Sequence, residues 1–142
     1  MAITHLHIAA LAVFVVIAVV GTGLLTGGAV TTNTDLWVSG VSLPNKILAG
    51  QTVRPVATFV NSGTASAGSV SYRLQILTSS YGLAMQKDER VYLLAGGTAT
   101  ADLGPWDLPR GDYILNLWVD YQGEHTETNE VNNYYTTKFT VN

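Results

Sequence analysis

The oxygen-bearing side chains of this sequence crowd into one stretch near its end, where Asp120, Glu124, Glu127, Glu130, Asn132 and Asn133 follow one another closely. Calcium takes six to eight oxygen ligands, so a loop of this content has the raw material for one, with Asp120, Glu127 and Glu130 as the candidate ligands. The spacing is not that of a known calcium loop. Asx and Glu side chains also cap turns by accepting hydrogen bonds from backbone amides, and capping is the simpler expectation. His5 and His7 are two residues apart, which places them on different faces of a helix, and His125 stands alone in a turn. No Ser, His and acid fall into a hydrolase signature, and no Gly-rich phosphate loop precedes a helix. The expectation is a protein with no catalytic residues and no cofactor.

Composition removes further classes. There is no cysteine, which excludes thiol catalysis, thiolate metal sites and a disulfide framework. The net charge of -3 provides no clustered Lys and Arg for nucleic acid, so no nucleic-acid partner is expected. Trp37, Trp106 and Trp118, together with seven tyrosines, could form a carbohydrate platform. Core packing and subunit contacts are the more common use of such residues and are preferred here. Tyr134 and Tyr135 are adjacent, so on a strand they face opposite sides.

The elements that must position these residues divide the 142-residue chain in two. Beyond Thr34 the sequence breaks into short runs rich in β-branched and aromatic residues, separated by Gly, Pro, Asn and Ser. Seven strands are expected near 35–43, 52–61, 70–79, 89–94, 98–103, 112–121 and 134–141. Val70, Tyr72, Leu74 and Ile76 alternate with Ser71, Arg73 and Gln75, and Tyr113, Leu115, Leu117 and Val119 alternate with Asp112, Asn116 and Asp120. Asn61-Ser62-Gly63 and Ala95-Gly96-Gly97 supply residues that tolerate positive φ. Pro55 demotes the start of the second strand to an edge or a bulge. Seven strands with regular turn signals predict an all-β, immunoglobulin-like sandwich.

Several blocks in this region resemble the CARDB family of surface-protein modules. They are Asp35-Leu36, the Leu43-Pro44 approach to Gly50, Val60-Asn61-Ser62-Gly63-Thr64-Ala65, Gly111-Asp112-Tyr113, Val119-Asp120 and Glu127-Thr128-Asn129-Glu130-Val131-Asn132-Asn133. The resemblance implies an immunoglobulin-like sandwich with extracellular binding or architectural roles and no shared catalytic residues.

The first part of the chain has another character. Met1 to Thr34 hold no Lys, Arg, Asp or Glu, and residues 8–25 are an unbroken uncharged run. As a helix that run is about 27 Å long, close to the hydrocarbon thickness of a bilayer. It is apolar all round, so it must be buried on every side. One reading is a cleaved secretory signal, with Gly27 and Ala29 before the cut, although the basic start of such signals is missing. A second is a plain membrane anchor, although neither end carries the Lys or Arg that fixes orientation. A third takes Met1 as the first residue of a processed chain. Met1-Ala2-Ile3-Thr4-His5-Leu6 leading into an Ala/Val/Ile run resembles archaeal type IV pilins and archaellins. That resemblance implies a basic leader removed just before the apolar run.

The expected organisation is therefore one long hydrophobic α-helix over 1–30, a linker over 31–34 and the sandwich over 35–142. On the third reading the chain is a structural subunit of an extracellular filament of the type IV pilus or archaellum kind. Ile8, Leu11, Phe14, Val15, Ile17, Val20 and Leu24 would pack against copies of the same helix, and the membrane would hold the chain before assembly. The alternative is a membrane-tethered adhesion module whose partner is a surface ligand or another cell.

Overall fold

The computed structural model describes residues 32–142. The expected helix over 1–30, with its packing positions Ile8, Leu11, Phe14, Val15, Ile17, Val20 and Leu24, lies outside the described residues. From Leu36 onward the chain forms seven strands: β1 (Leu36–Ser42), β2 (Val56–Asn61), β3 (Gly68–Thr78), β4 (Leu83–Leu93), β5 (Thr98–Asp102), β6 (Gly111–Val119) and β7 (Tyr134–Val141). They make two antiparallel sheets, one ordered β1-β2-β5 and the other β4-β3-β6-β7. This is an all-β sandwich, as its alternating pattern requires.

The core is built from one face of each sheet. Leu36, Val38, Ala57 and Phe59 meet Val70, Tyr72, Leu74, Ile76, Leu115 and Leu117, all buried. The Phe59 and Tyr72 rings bridge the two sheets with centroids 4.9 Å apart. Trp106, 2% exposed, closes the sandwich between strands and donates its indole N–H to Leu103 O at 2.7 Å, which satisfies the one polar atom a buried tryptophan carries. At the entry to β6, the Tyr113 hydroxyl donates to Pro109 O at 2.9 Å. A tyrosine bonded to the backbone a few residues upstream, at this strand, is the tyrosine corner of immunoglobulin-like sandwiches.

Three expectations are corrected. The second strand begins at Val56, not 52, because β2 is the middle strand of its sheet and a proline cannot donate to a central ladder. Pro55 therefore sits just outside it, and Val53 forms an isolated bridge with Trp106 instead. The fourth strand starts at Leu83, six residues before the expected position, and runs beside almost all of β3. Its first half, Leu83-Ala84-Met85-Gln86-Lys87-Asp88, has little β propensity, and pairing with β3 overrides that local preference.

The third correction concerns Asn61-Ser62-Gly63. Among the described residues, positive φ occurs at Gly50, Gly68, Gly96, Gly111, Gly123, Tyr81 and Asp120, not at Gly63. Gly63 is required by proximity: a Cβ there would fall on Asn33 O, Thr34 Cα and Asp35 N. Asn61, fully buried, then uses both ends of its amide. Its Oδ1 accepts from Gly63 N (3.0 Å) and Asp35 N (3.2 Å), and its Nδ2 donates to Ala65 O (2.8 Å) and Leu94 O (3.1 Å).

Candidate functional site

The acidic stretch after β6 folds inward. Asp120 follows β6 directly with φ 49°, a left-handed conformation that Asp tolerates better than most residues. That turn brings Glu124 N and His125 N onto its two carboxylate oxygens, each at 2.9 Å. Its own N–H donates to Ser71 O at 2.7 Å. Glu124 is held from the other side by Arg90, whose two terminal nitrogens lie 3.1 and 3.0 Å from its oxygens. The guanidinium keeps the Glu124 carboxyl below the usual glutamate range.

Glu127 reaches further in and is only 9% exposed. Its Oε2 accepts the Leu36 N–H at 2.6 Å and its Oε1 accepts from Asn133 Nδ2 at 2.7 Å. Burial raises its carboxyl above the ordinary value, and the two hydrogen bonds offset only part of that shift. Glu130 caps the turn by accepting the Glu127 N–H at 3.0 Å. Asn132 Nδ2 donates to Asp35 Oδ1 at 2.9 Å, and Thr128 N donates to Thr34 O at 2.9 Å. From the opposite loop, Ser62 N donates to Asp35 O and Ala65 N to Asn33 O. The chain at 33–36 is thus clasped on both sides, by the Asn61–Gly63 turn and by the Glu127–Asn133 loop.

Among the described residues, Asp120, Glu127 and Glu130, the calcium candidates, are not a group whose ligand atoms lie within 4.8 Å of one another. Asp120, Glu124 and His125 are such a group. That set does not fit a cation as it stands. Both Asp120 oxygens serve backbone amides, and both Glu124 oxygens face a guanidinium. Within this set only His125 offers a buried atom without a partner, Nε2; among the described residues Ser71 Oγ, Asn132 Oδ1 and Asn133 Oδ1 are also buried and unpartnered, but they belong to other side chains. One free nitrogen falls short of the three protein ligands of a catalytic zinc site and of a calcium shell.

A second group lies on the outer face of the four-stranded sheet. Trp106 belongs to the core, whereas Trp118 points away from it, as does Tyr134, which is 46% exposed. Tyr135 packs against the core, as its opposite facing requires. Register aligns Asp88, Arg73, Trp118 and Tyr134 across four strands, with Gln86, Gln75, Asn116 and Thr136 in the next row. The Trp118 and Tyr134 rings are 5.0 Å apart, and Arg73 lies over the Tyr121 ring at 4.4 Å. Arg73, Gln75, Trp118 and Tyr121 line an open groove of about 300 Å³. Strand parity alone could have found this group, since Trp118 shares its face with Asn116 and Asp120. Only pairing with β3 and β7 shows what stands beside it.

A CARDB family profile matches residues 33–137. Among solved structures, the CARDB domain of a Pyrococcus furiosus protein, crystallised in complex with di-metal ions, is 22% identical with a TM-score of 0.59, covering 78% of this chain and 96% of that one. Its solution structure is 22% identical with a TM-score of 0.57, covering 78% and 97%. A domain of an inferred cell surface protein from Methanosarcina acetivorans is 21% identical with a TM-score of 0.59, covering 78% and 93%. At these identities the likeness is one of fold. The comparison with curated proteins returns no match.

Proposed function

We propose, from the premise that this chain belongs to the CARDB family, that it is a non-enzymatic module displayed outside the cell and held there through the residues that precede its sandwich. The finer reading is a structural subunit of an extracellular filament of the archaeal type IV pilus or archaellum kind. Residues 8–25 would form the filament core and the sandwich its outer layer. The observation that carries the proposal is the join between the two parts. A charge-free apolar run leads into a β1 whose entry is clasped from both sides by side chains of two loops. Any pull on the sandwich from that run enters at 33–36, where the hydrogen bonds concentrate.

The physical reasoning for a polymer is that a segment with no polar face leaves lipid only when like segments replace the lipid. Burial at about 25 cal/mol per Å² makes such a bundle stable. The partners are then copies of this chain through Ile8, Leu11, Phe14, Val15, Ile17, Val20 and Leu24, with the membrane as host before assembly. Likeness to a domain of an inferred surface protein supports the location. Electron microscopy of purified full-length material tests the reading. A helical repeat is expected, and Val16→Asp should abolish it while the sandwich stays folded, because an unpaired carboxylate in that core is costly. Discrete particles from the unsubstituted chain would replace the filament with the membrane-tethered adhesion module.

A further inference from the structure

We propose that the outer face of the β4-β3-β6-β7 sheet is a binding site for a neutral oligosaccharide, centred on Trp118, Tyr121 and the groove beside Arg73 and Gln75. The site belongs to the sandwich alone and stands whether or not the chain polymerises.

Four features of the face select that ligand. The first is its aromatic content. Trp118 and Tyr121 line the groove, and Tyr134 continues the aromatic surface 5.0 Å from Trp118. A flat ring faces the apolar C–H side of a pyranose, and burial of that side is the main source of affinity for an otherwise hydrophilic molecule. The second is the row of amides and hydroxyls alongside. Gln75 Nε2 donates to Gln86 Oε1 at 2.7 Å, so that each amide has its other end unused by that bond and available to sugar hydroxyls. Asn116 is fixed by Tyr134 Oη and Thr136 Oγ1, which donate to its Oδ1 at 2.7 and 2.9 Å. Such fixed polar groups among apolar ones give a ligand site its specificity.

The third feature is charge. Arg73 is bound through two parallel bonds of 2.7 Å to Asp88, and Arg90 is bound to Glu124. Both ion pairs cancel on the face itself, and further along it Lys138 and Asp112 add one charge of each sign, leaving neither a cationic patch for an acidic polymer nor an anionic one for a basic peptide. The fourth is the spacing of apolar groups. On this face the Trp118–Tyr134 pair is flanked by the Arg73 guanidinium, the Gln75 and Gln86 amides and the Thr136 hydroxyl, whereas the centre of a protein–protein interface is a broader apolar patch depleted in charge. A groove of about 300 Å³ is at the small end of ligand pockets and suits a short stretch of a linear glycan.

The test is titration of the full-length chain with short linear oligomers of glucose, of N-acetylglucosamine and of mannose. Calorimetry gives the affinity, and the intrinsic fluorescence of the tryptophans reports contact with Trp118. At least one neutral oligomer is expected to bind and to change that fluorescence. Trp118→Ala and Tyr121→Ala should each weaken it by about tenfold or more, the range expected for loss of one stacking contact. Thr100→Ala, exposed on β5 of the other sheet, should leave it unchanged. Thermal unfolding of each variant separates lost binding from lost fold. The proposal is overturned if no neutral oligomer binds, if only sulfated or carboxylated glycans bind, or if folded Trp118→Ala and Tyr121→Ala bind as well as the parent. Loss of self-association in Trp118→Ala, without any glycan binding by the parent, would reassign the face to contact between copies of this chain.

Discussion

Around residues 33–36, Asn61 and Glu127 accept from backbone amides and Asn132 donates to the Asp35 carboxylate, while Asp120 accepts from the amides of its own turn. On the outer face of the larger sheet, residues of similar chemistry are paired side by side across strands and keep one side turned to solvent. The first arrangement consumes hydrogen-bonding capacity, and the second leaves some of it on display. A concentration of carboxylates and amides is therefore a poor guide to a binding site by itself. What separates the two regions is burial. A carboxylate that is 9% exposed and bonded to Leu36 N is part of the fold, whereas an indole on an open sheet face has no structural duty that requires its ring.

Substitutions sharpen this contrast, and the largest effects belong to the clasp. Gly63→Ala drives a Cβ into the backbone at Asn33 and Thr34. Asn61→Ala orphans groups bonded at both ends of its amide. Each is expected to cost on the order of 3–5 kcal/mol in denaturant unfolding, in the upper tail for single changes. A cost under about 1 kcal/mol for Asn61→Ala would mean the clasp is ornamental.

Glu127→Ala comes next, at roughly 2–3 kcal/mol, because the Leu36 N–H loses its partner in a buried setting. Glu127→Gln carries a pH signature. Burial raises the folded-state carboxyl above its ordinary value of 4.5, so the native chain holds that proton longer than the unfolded chain does. Its contribution to stability is greatest below 4.5 and declines as pH rises through the raised value. The stability of Glu127→Gln relative to the parent should therefore improve as pH rises from about 4.5 through the raised value, and level off above it. The opposite slope would show that the carboxylate form is the one the clasp favours.

Asp120→Asn tolerates the same left-handed backbone but can accept at only one oxygen, and is expected to cost about 1 kcal/mol. Trp118→Ala falls in the same low range and should change stability by about 0.5–1.5 kcal/mol, through loss of its pairing with Tyr134. If Trp118→Ala destabilises as much as Asn61→Ala, the outer face is structural and the contrast fails.

Much of the sandwich was legible beforehand. Val70, Tyr72, Leu74 and Ile76 on one strand and Tyr113, Leu115, Leu117 and Val119 on another alternate in type, and all eight are buried as that alternation requires. The strand over Leu83–Asp88 was not legible, since its residues carry no alternation and its order comes from β3. Asn61-Ser62-Gly63 reads as a turn from its residue types, but the reason for its glycine is the passage of residues 33–35 against it, a contact between segments distant in sequence. The same limit hid the outer face: alternation gives the side of a sheet, not the neighbour on the next strand.

Residue order alone determined the period-two patterns, the turns, the lack of thiol chemistry and the uncharged run at 8–25, because these depend on local sterics and transfer energies. Pairing of β3 with β4 and β6, the clasp around 33–36 and the meeting of Arg73, Trp118 and Tyr121 were decided by tertiary structure. Each depends on register between strands far apart in the chain, and register is a property of the packed core as a whole.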